Sequence, residues 1–398
     1  MEITLCSKVK NFIPHIHRTS IINKLYIEDI NKYMKLECSI EKIKNAVSQV
    51  ERTTGKNLTL PILSSVLLIA SPKSLKLRST NLSLGVEIEI PAKVEREGTI
   101  AISGSILNSI FSNVSQNENV FIEEKDANLL IKTKKTQIKL KSQPHEDFPT
   151  IPTVTGTSFE IESKKLIEGI KSVYYSSSVS DIKPEISSVF IYTNNDNLVF
   201  VSTDSFRLAE KKIKTKGVPE ILGILIPFKN VAEILKIFGE IQGVIKVCFN
   251  KNQISFSSEN IYLTSRIIDG IFPDYRQIIP KTFTTEIIVL KQDLLNALKL
   301  SNIFSDKFNQ VGLKILPKEK IFELSSSNND IGENKTHLDT VINGEEIELG
   351  FNYKYFLDCF TSVTTDSVSI KLSGNSKPIV VNPVSDPSFT YLIMPMNR

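Results

Sequence analysis

The chain has 398 residues, 41% hydrophobic and 23% charged, with 48 basic against 44 acidic side chains, a net charge of +4 and no Trp. It is too long for one ordinary core, so two to four domains are expected, and no apolar run is long enough for a membrane span. The near balance of charge permits nucleic acid as a partner without demanding it, and a loose grip is the better expectation, since a protein that grips DNA through many phosphates shows denser basic clustering.

Residues 1–33 have no counterpart in the rest of the chain. They lack the basic, apolar, small-residue order of a secretory leader and read as an extension or as sequence upstream of the true start. His15 and His17 within them read as solvated. From Ile40 the apolar residues Ile40, Ile43, Val47 and Val50 recur at helical spacing. Arg52 and Lys56 follow, ahead of the turn Leu60-Pro61-Ile62-Leu63-Ser64. Residues 84–90 alternate as a strand does. A second helix carries Ile106, Leu107, Ile110, Phe111 and Val114, and 128–133 reads as a strand. His145 lies in a loop before Asp147-Phe148-Pro149. A third helix carries Leu166, Ile167, Ile170, Val173 and Tyr174. Asn194-Asn195-Asp196-Asn197 marks a turn before a strand over 198–202. The fourth helix has Val231, Ile234, Leu235 and Phe238, and the fifth Leu294, Leu295 and Leu298. A polar loop over 328–334 precedes the sixth, with Phe356, Cys359, Phe360 and Val363.

Leu107, Val231 and Phe356 are 124 and 125 residues apart by their numbers. Like helices at equal spacing imply three copies of one domain of ordinary size. The fold class is therefore α+β, three tandem units in which two amphipathic helices pack on antiparallel sheets. Pro-containing stretches before Ser158 and Thr285 place the domains at 34–157, 158–284 and 285–398, after the extension 1–33. An open chain of three units leaves a sheet edge bare at each end. Two chains joined head to tail pair those edges and close a ring. Twelve helices at a spacing of roughly 10 Å give a circumference of about 120 Å, wide enough for a DNA duplex.

Cys6, Cys38, Cys248 and Cys359 are scattered, without a C-x-x-C pair, and read as small buried hydrophobes in a reducing, cytoplasmic compartment. No phosphate loop, dinucleotide fingerprint, G-x-S-x-G or H-E-x-x-H motif is present. No catalytic residue, metal site or cofactor is expected. An unrecognised hydrolase stays open as an alternative, because a Ser nucleophile need not announce itself by a motif.

Four segments stand out: Leu60-Pro61-Ile62-Leu63-Ser64, Ser202-Thr203-Asp204-Ser205-Phe206-Arg207-Leu208-Ala209, Phe272-Pro273-Asp274-Tyr275-Arg276 and Tyr391-Leu392-Ile393-Met394-Pro395-Met396-Asn397-Arg398. In order and spacing they resemble the bacterial DNA polymerase III beta subunit, the sliding clamp, from about Met34 to the last residue. The resemblance implies a head-to-tail homodimeric ring with helices inside and sheets outside, encircling double-stranded DNA without reading its sequence. Its partners would be the DNA polymerase III alpha subunit, the clamp loader and other clamp-binding proteins, and no membrane. A clamp-fold scaffold dedicated to repair is an alternative within the same fold.

The resemblance also implies sites. Ile138 and Leu140 would lie on the edge of domain one, facing Ile303 and Phe304 of the other chain. Arg52, Lys56, Lys183 and Lys229 match regions that reach the DNA, and Lys44, Lys165, Lys171, Lys236 and Lys299 would add a mild positive lining. A hydrophobic cleft for partner peptides would be formed by Ile186, Thr203, Ser205, Phe206, Arg207, Leu208, Pro273, Ile278, Met394, Pro395 and Met396. Met moulds to varied side chains, and Arg207 would orient a polar group. This chain departs from the family pattern at Ser205 and Phe206, where Gly and His are common, at Gln277 and at Asn397-Arg398. Read from the residues alone, 394–396 merely finishes a strand, Asp204 and Arg207 pair to stabilise a turn, the four edge residues are ordinary core, and the lysines are solvated.

Overall fold

The structure is a computed structural model, and it describes residues 33–55, 59–115 and 118–396. Lys56, Cys6, His15, His17, Asn397 and Arg398 lie outside the described residues. The chain divides into two compact units, one running up to Pro152 with the short segment Glu259–Leu263, the other made of Thr153–Ser258 and Thr264–Arg398.

In the first unit, helices α1 (Ile40–Glu51) and α2 (Gly104–Asn113) pack side by side. The strand Leu84–Arg96 is long enough to serve two sheets. Its first half pairs with Ser74–Thr80, and its second half, from Ala92, with Lys35–Ser39. The ladder continues outward from Lys35–Ser39 through Asn119–Lys125 and Asn128–Lys132 to Gln137–Lys141. Ile40, Ile43, Val47 and Val50 are all buried, as the helical spacing requires.

The second unit contains two further copies of this plan. Helices α3 (Ser163–Lys171) and α4 (Phe228–Phe238) belong to one, α5 (Lys291–Ile303) and α6 (Tyr353–Cys359) to the other. The two copies fuse through one antiparallel ladder, in which Arg207–Lys214 pairs with Phe389–Ile393, from Arg207 opposite Ile393 to Lys211 opposite Phe389. That ladder makes a single nine-stranded sheet, which is why a threefold repeat gives only two compact units. A separate four-stranded sheet ends at Gly332–His337, which among the described residues pairs on one side only, with Ile321–Asn328.

Four local expectations need correction. Ile106 is 51% exposed and Val114 is already extended beyond the end of α2; the buried face of α2 is Gly104, Leu107 and Phe111. The helix carries two apolar faces, and Ile106 and Ile110 form the outer one. In α3 the helix stops at Lys171, and Tyr174 opens a separate 3-10 turn, Tyr174–Ser176. Phe360 and Val363 are buried but lie past the end of α6. The polar segment 328–334 is a loop only over 329–331, because Asn328 ends one strand of the four-stranded sheet and Gly332 begins the next.

Cys38 and Cys359 are buried. Burial, with Glu37 adding to it, pushes the Cys38 thiol up to about 12, and burial likewise raises Cys359. The thiolate is the reactive form. Iodoacetamide at pH 7.5 should leave both unmodified in the folded protein and alkylate both in denaturant, as read by peptide mass. Modification of either in the folded state would contradict this packing.

Candidate functional site

The turn over 203–207 is closed by its own side chains. The Thr203 hydroxyl accepts from the Ser205 N–H at 3.1 Å and donates to the Arg207 carbonyl at 2.6 Å. The Asp204 carboxylate accepts from the N–H groups of Phe206 and Arg207 at 2.9 and 3.0 Å. Such side-chain bonding to backbone two or three residues on is the reason Asp and Thr favour turns. The bend puts Ser205 at φ +79°, in the left-handed region. A residue with a Cβ is strained there by roughly 1–2 kcal/mol. Ser205→Gly should therefore raise stability by about 1 kcal/mol, seen as a higher denaturant midpoint at unchanged slope, and a lowered midpoint would refute the strain.

Arg207 is 13% exposed. Its Nε donates to Asp204 Oδ2 at 2.9 Å, Nη1 to Asp358 Oδ2, and Nη2 to the Tyr175 carbonyl at 2.7 Å, while its plane lies 4.8 Å from the Tyr355 ring centre. Burial acts against its charge, but Tyr391, Asp358 and Asp204 outweigh burial and raise its pKa further. The turn-stabilising ion pair with Asp204 is thus present, and it is part of a larger arrangement reaching α6.

The structure brings this turn together with the C-terminal residues. The Met394 N–H donates to the Phe206 carbonyl and the Met396 N–H to the Gly350 carbonyl, both at 2.8 Å. The last strand ends at Ile393, so Met394, Pro395 and Met396 lie beyond it and are half-buried. Phe206 is 62% exposed. Leu208, by contrast, is enclosed in a core with Tyr192, Val199, Phe272, Tyr275 and Leu392. Ile186 stands on one loop, and Pro273 and Ile278 flank the 3-10 turn Tyr275–Gln277 on another. Pro273 lines a cavity of about 430 Å³ with Phe190, Tyr192, Leu222, Phe272 and Arg276. Ile278 is exposed, and Gln277 is hydrogen-bonded to Asp274 at 2.7 Å.

Of the residues expected to face DNA, Arg52 caps the end of α1 and is exposed, as is Lys183. Lys229 is exposed but ion-paired with Asp181 at 2.6 Å. Lys165 and Lys236 pair with Glu162 and Glu233, both at 2.8 Å, and Lys44 donates to the Ser112 carbonyl, whereas Lys171 and Lys299 are exposed. Of the edge residues, Ile138 and Leu140 are half-buried on the strand Gln137–Lys141, which among the described residues pairs only with Asn128–Lys132. Ile138 borders a cavity of about 580 Å³ that also takes in Ile40, Ile106 and Ile110. Ile303, at the end of α5, is 56% exposed and Phe304 half-buried, so neither is ordinary core.

Two buried networks escaped sequence reading. Burial and the Glu210 carboxylate raise the Tyr275 pKa. Tyr275 stays a donor to Glu210, so Tyr192 must donate to Tyr275, at 2.8 Å. Lys211, also buried, reaches Glu168 at 3.0 Å, the Ser388 hydroxyl at 2.9 Å and Asp386 at 3.8 Å. The available signal was Glu210-Lys211 directly after Leu208-Ala209 on a strand whose middle is buried, since charges are buried only when partnered. Among the described residues no group of three or more His, Cys, Asp or Glu could hold a metal ion, and no helix is long and apolar enough to cross a membrane.

Three family models match consecutive stretches of the chain: the N-terminal domain of the DNA polymerase III beta subunit over 34–152, its central domain over 160–274 and its C-terminal domain over 276–397. The chain belongs to the DNA polymerase III beta subunit family. A beta sliding clamp from Synechococcus elongatus is 28% identical over 372 residues, 91% of this chain and 99% of that one. One from Staphylococcus aureus is 25% identical over 348 residues, 85% of this chain and 92% of its own. The crystal structure of a DNA polymerase sliding clamp from Bacillus subtilis superposes with a TM-score of 0.87 at 24% identity, covering 92% of this chain and all of that one. The beta subunit of DNA polymerase III from Thermotoga maritima gives 0.86 at 22% identity and the same 92% coverage of this chain. The three-copy architecture of the family is thus the fold of this chain.

Proposed function

We propose that this protein is a DNA sliding clamp, a non-catalytic accessory subunit of which two copies close head to tail around double-stranded DNA and tether the replicative polymerase. The observation that carries this reading is the match of all three clamp domains, in order, over 34–397. Two half-paired strands support the closure: Gln137–Lys141 at the end of one sheet and Gly332–His337 at the end of another. Each presents unpaired backbone groups, and a second copy would satisfy both at once.

The charge pattern suits sliding. A closed ring is retained by topology and needs only screened, non-specific attraction. Ion pairing of Lys229, Lys165 and Lys236 with their own acids softens the contact further. The domains run 34–157, 158–284 and 285–398 in this reading, with 1–33 as an extension. The turn 203–207 and residues 394–396, together with Ile186, Pro273 and Ile278, form the docking surface for peptides of the DNA polymerase III alpha subunit, an ATP-driven clamp loader and other clamp-binding proteins in the cytoplasm. Arg52, Lys56, Lys183 and Lys229 face the duplex, and Ile138 and Leu140 meet Ile303 and Phe304 of the second copy. Nothing in the site favours the hydrolase or the repair-scaffold reading.

The test is retention on DNA after loading. The protein should stay on nicked circular DNA through a high-salt wash and fall off within minutes once the circle is linearised. Equal retention on both forms would mean binding by contact rather than by encirclement, and would overturn the proposal.

A further inference from the structure

Resting on the peptide-docking reading above, we infer that Arg207 is a positioning residue: it ties the turn bearing Phe206 to α6 of the third copy and does not itself contact the bound peptide. A guanidinium has five N–H donors and two flat faces. Here one donor from each of the three nitrogens is committed, to Asp204, Asp358 and the Tyr175 carbonyl, and one face lies over Tyr355. With 13% of the side chain exposed, little is left to meet a ligand. Tyr355 and Asp358 both come from α6, three residues apart on one helix face.

The turn needs such an anchor. Ser205 is held in the left-handed region, and Asp204 must serve two backbone amides and Arg207 at once. The Phe206 carbonyl in turn receives the Met394 N–H, so a shift of the turn is passed directly to Met394. Arg207 also opens the ladder with Phe389–Ile393, four residues before Lys211. The two cations point to the same face of the strand. Lys211 joins the same two copies through Asp386 and Ser388 but touches no part of the turn. It is a built-in control, equally a bridge and remote from the docking surface.

The experiment compares Arg207→Lys, which keeps the charge and loses the fork, with Asp358→Asn and Lys211→Met in the full chain. Amide hydrogen exchange is read at Phe206 and Met394 without peptide. Affinity is then read with a fluorescent synthetic peptide carrying a Gln followed by Leu and Phe anchors. Arg207→Lys and Asp358→Asn should each speed exchange at both amides about tenfold and weaken the peptide by a similar factor, with the double variant no worse than either. Lys211→Met should lower the melting temperature and leave both readouts unchanged. If Arg207→Lys fails to fold, Asp358→Asn decides alone. Unchanged exchange in Asp358→Asn, or a loss of affinity in Lys211→Met equal to that in Arg207→Lys, would overturn the inference. A wild-type protein that ignores the peptide would overturn the docking reading, while exchange would still decide the role of Arg207.

Discussion

Ile303→Asp should run as a folded monomer near 44.7 kDa in light scattering at concentrations where the unsubstituted protein has twice that mass. In the isolated chain Ile303 is exposed beside Leu300, with Phe308 also exposed a few residues on, so the substitution removes no core packing. Exposed apolar clusters of this kind mark interaction surfaces. The proposed counterpart is the half-paired strand Gln137–Lys141, with Ile138 at the mouth of the cavity lined by Ile106 and Ile110. Closing the ring buries one unpaired carboxylate at each of its two interfaces, at a cost of about 3–5 kcal/mol each, which weakens dimerisation by roughly 10⁴–10⁷. Ile138→Asp should act alike from the other side, and both variants should keep the wild-type far-UV spectrum. A stable Ile303→Asp dimer would mean that the chains meet elsewhere.

Gly169→Ala tests the second unit, and two effects of opposite sign compete. In an open helix, alanine in place of glycine stabilises by about 0.8–1 kcal/mol. Gly169 is buried in α3, and a Cβ there would lie 2.2 Å from Cε2 of Phe200, which is fully buried. Overpacking of this kind costs about 1–3 kcal/mol, more when the neighbour cannot turn aside. The clash should win, with a net loss of about 1–2 kcal/mol and a melting temperature lower by roughly 2–8 °C for a unit of this size. Phe200 lies on the strand Asn197–Thr203 that leads into the docking turn, so the loss should be accompanied by weaker peptide binding. A raised melting temperature would mean that Phe200 has room to swing away.

Much of the architecture can be read from spacing alone. The stripe Ile40, Ile43, Val47, Val50 is buried as a stripe, and the turn cluster 194–197 does separate two strands, with Asn195 at φ +52°. Spacing fails where one helix has two apolar faces. In α2 it cannot tell that Leu107 and Phe111 face inward while Ile106 faces out, since hydrophobicity is blind to which neighbour covers a face. It also cannot assign buried charge. Arg207 looks like a local partner of Asp204, which it is, yet its contacts with Tyr175 and Asp358 depend on segments brought together only by folding. Lys229 reads as a free cation because Asp181 is far away along the chain. Leu208, read as part of the cleft wall, faces the core because it alternates with its neighbours along a strand.

The fused ladder has a bearing on how the chain is made. The strand Arg207–Lys214 cannot be completed until Phe389–Ile393 exists, about 180 residues later. At a synthesis rate of roughly 5–20 residues per second that is a wait of about 10–40 s. Throughout it the middle copy holds out an unpaired strand edge, and such an edge recruits any other strand within reach. Lys211 and Lys212 in the middle of that strand work against such recruitment, because a charged edge resists pairing with a stray chain. Lys211 has Glu168 within reach in the middle copy and gains Asp386 and Ser388 only when the C-terminal strand arrives.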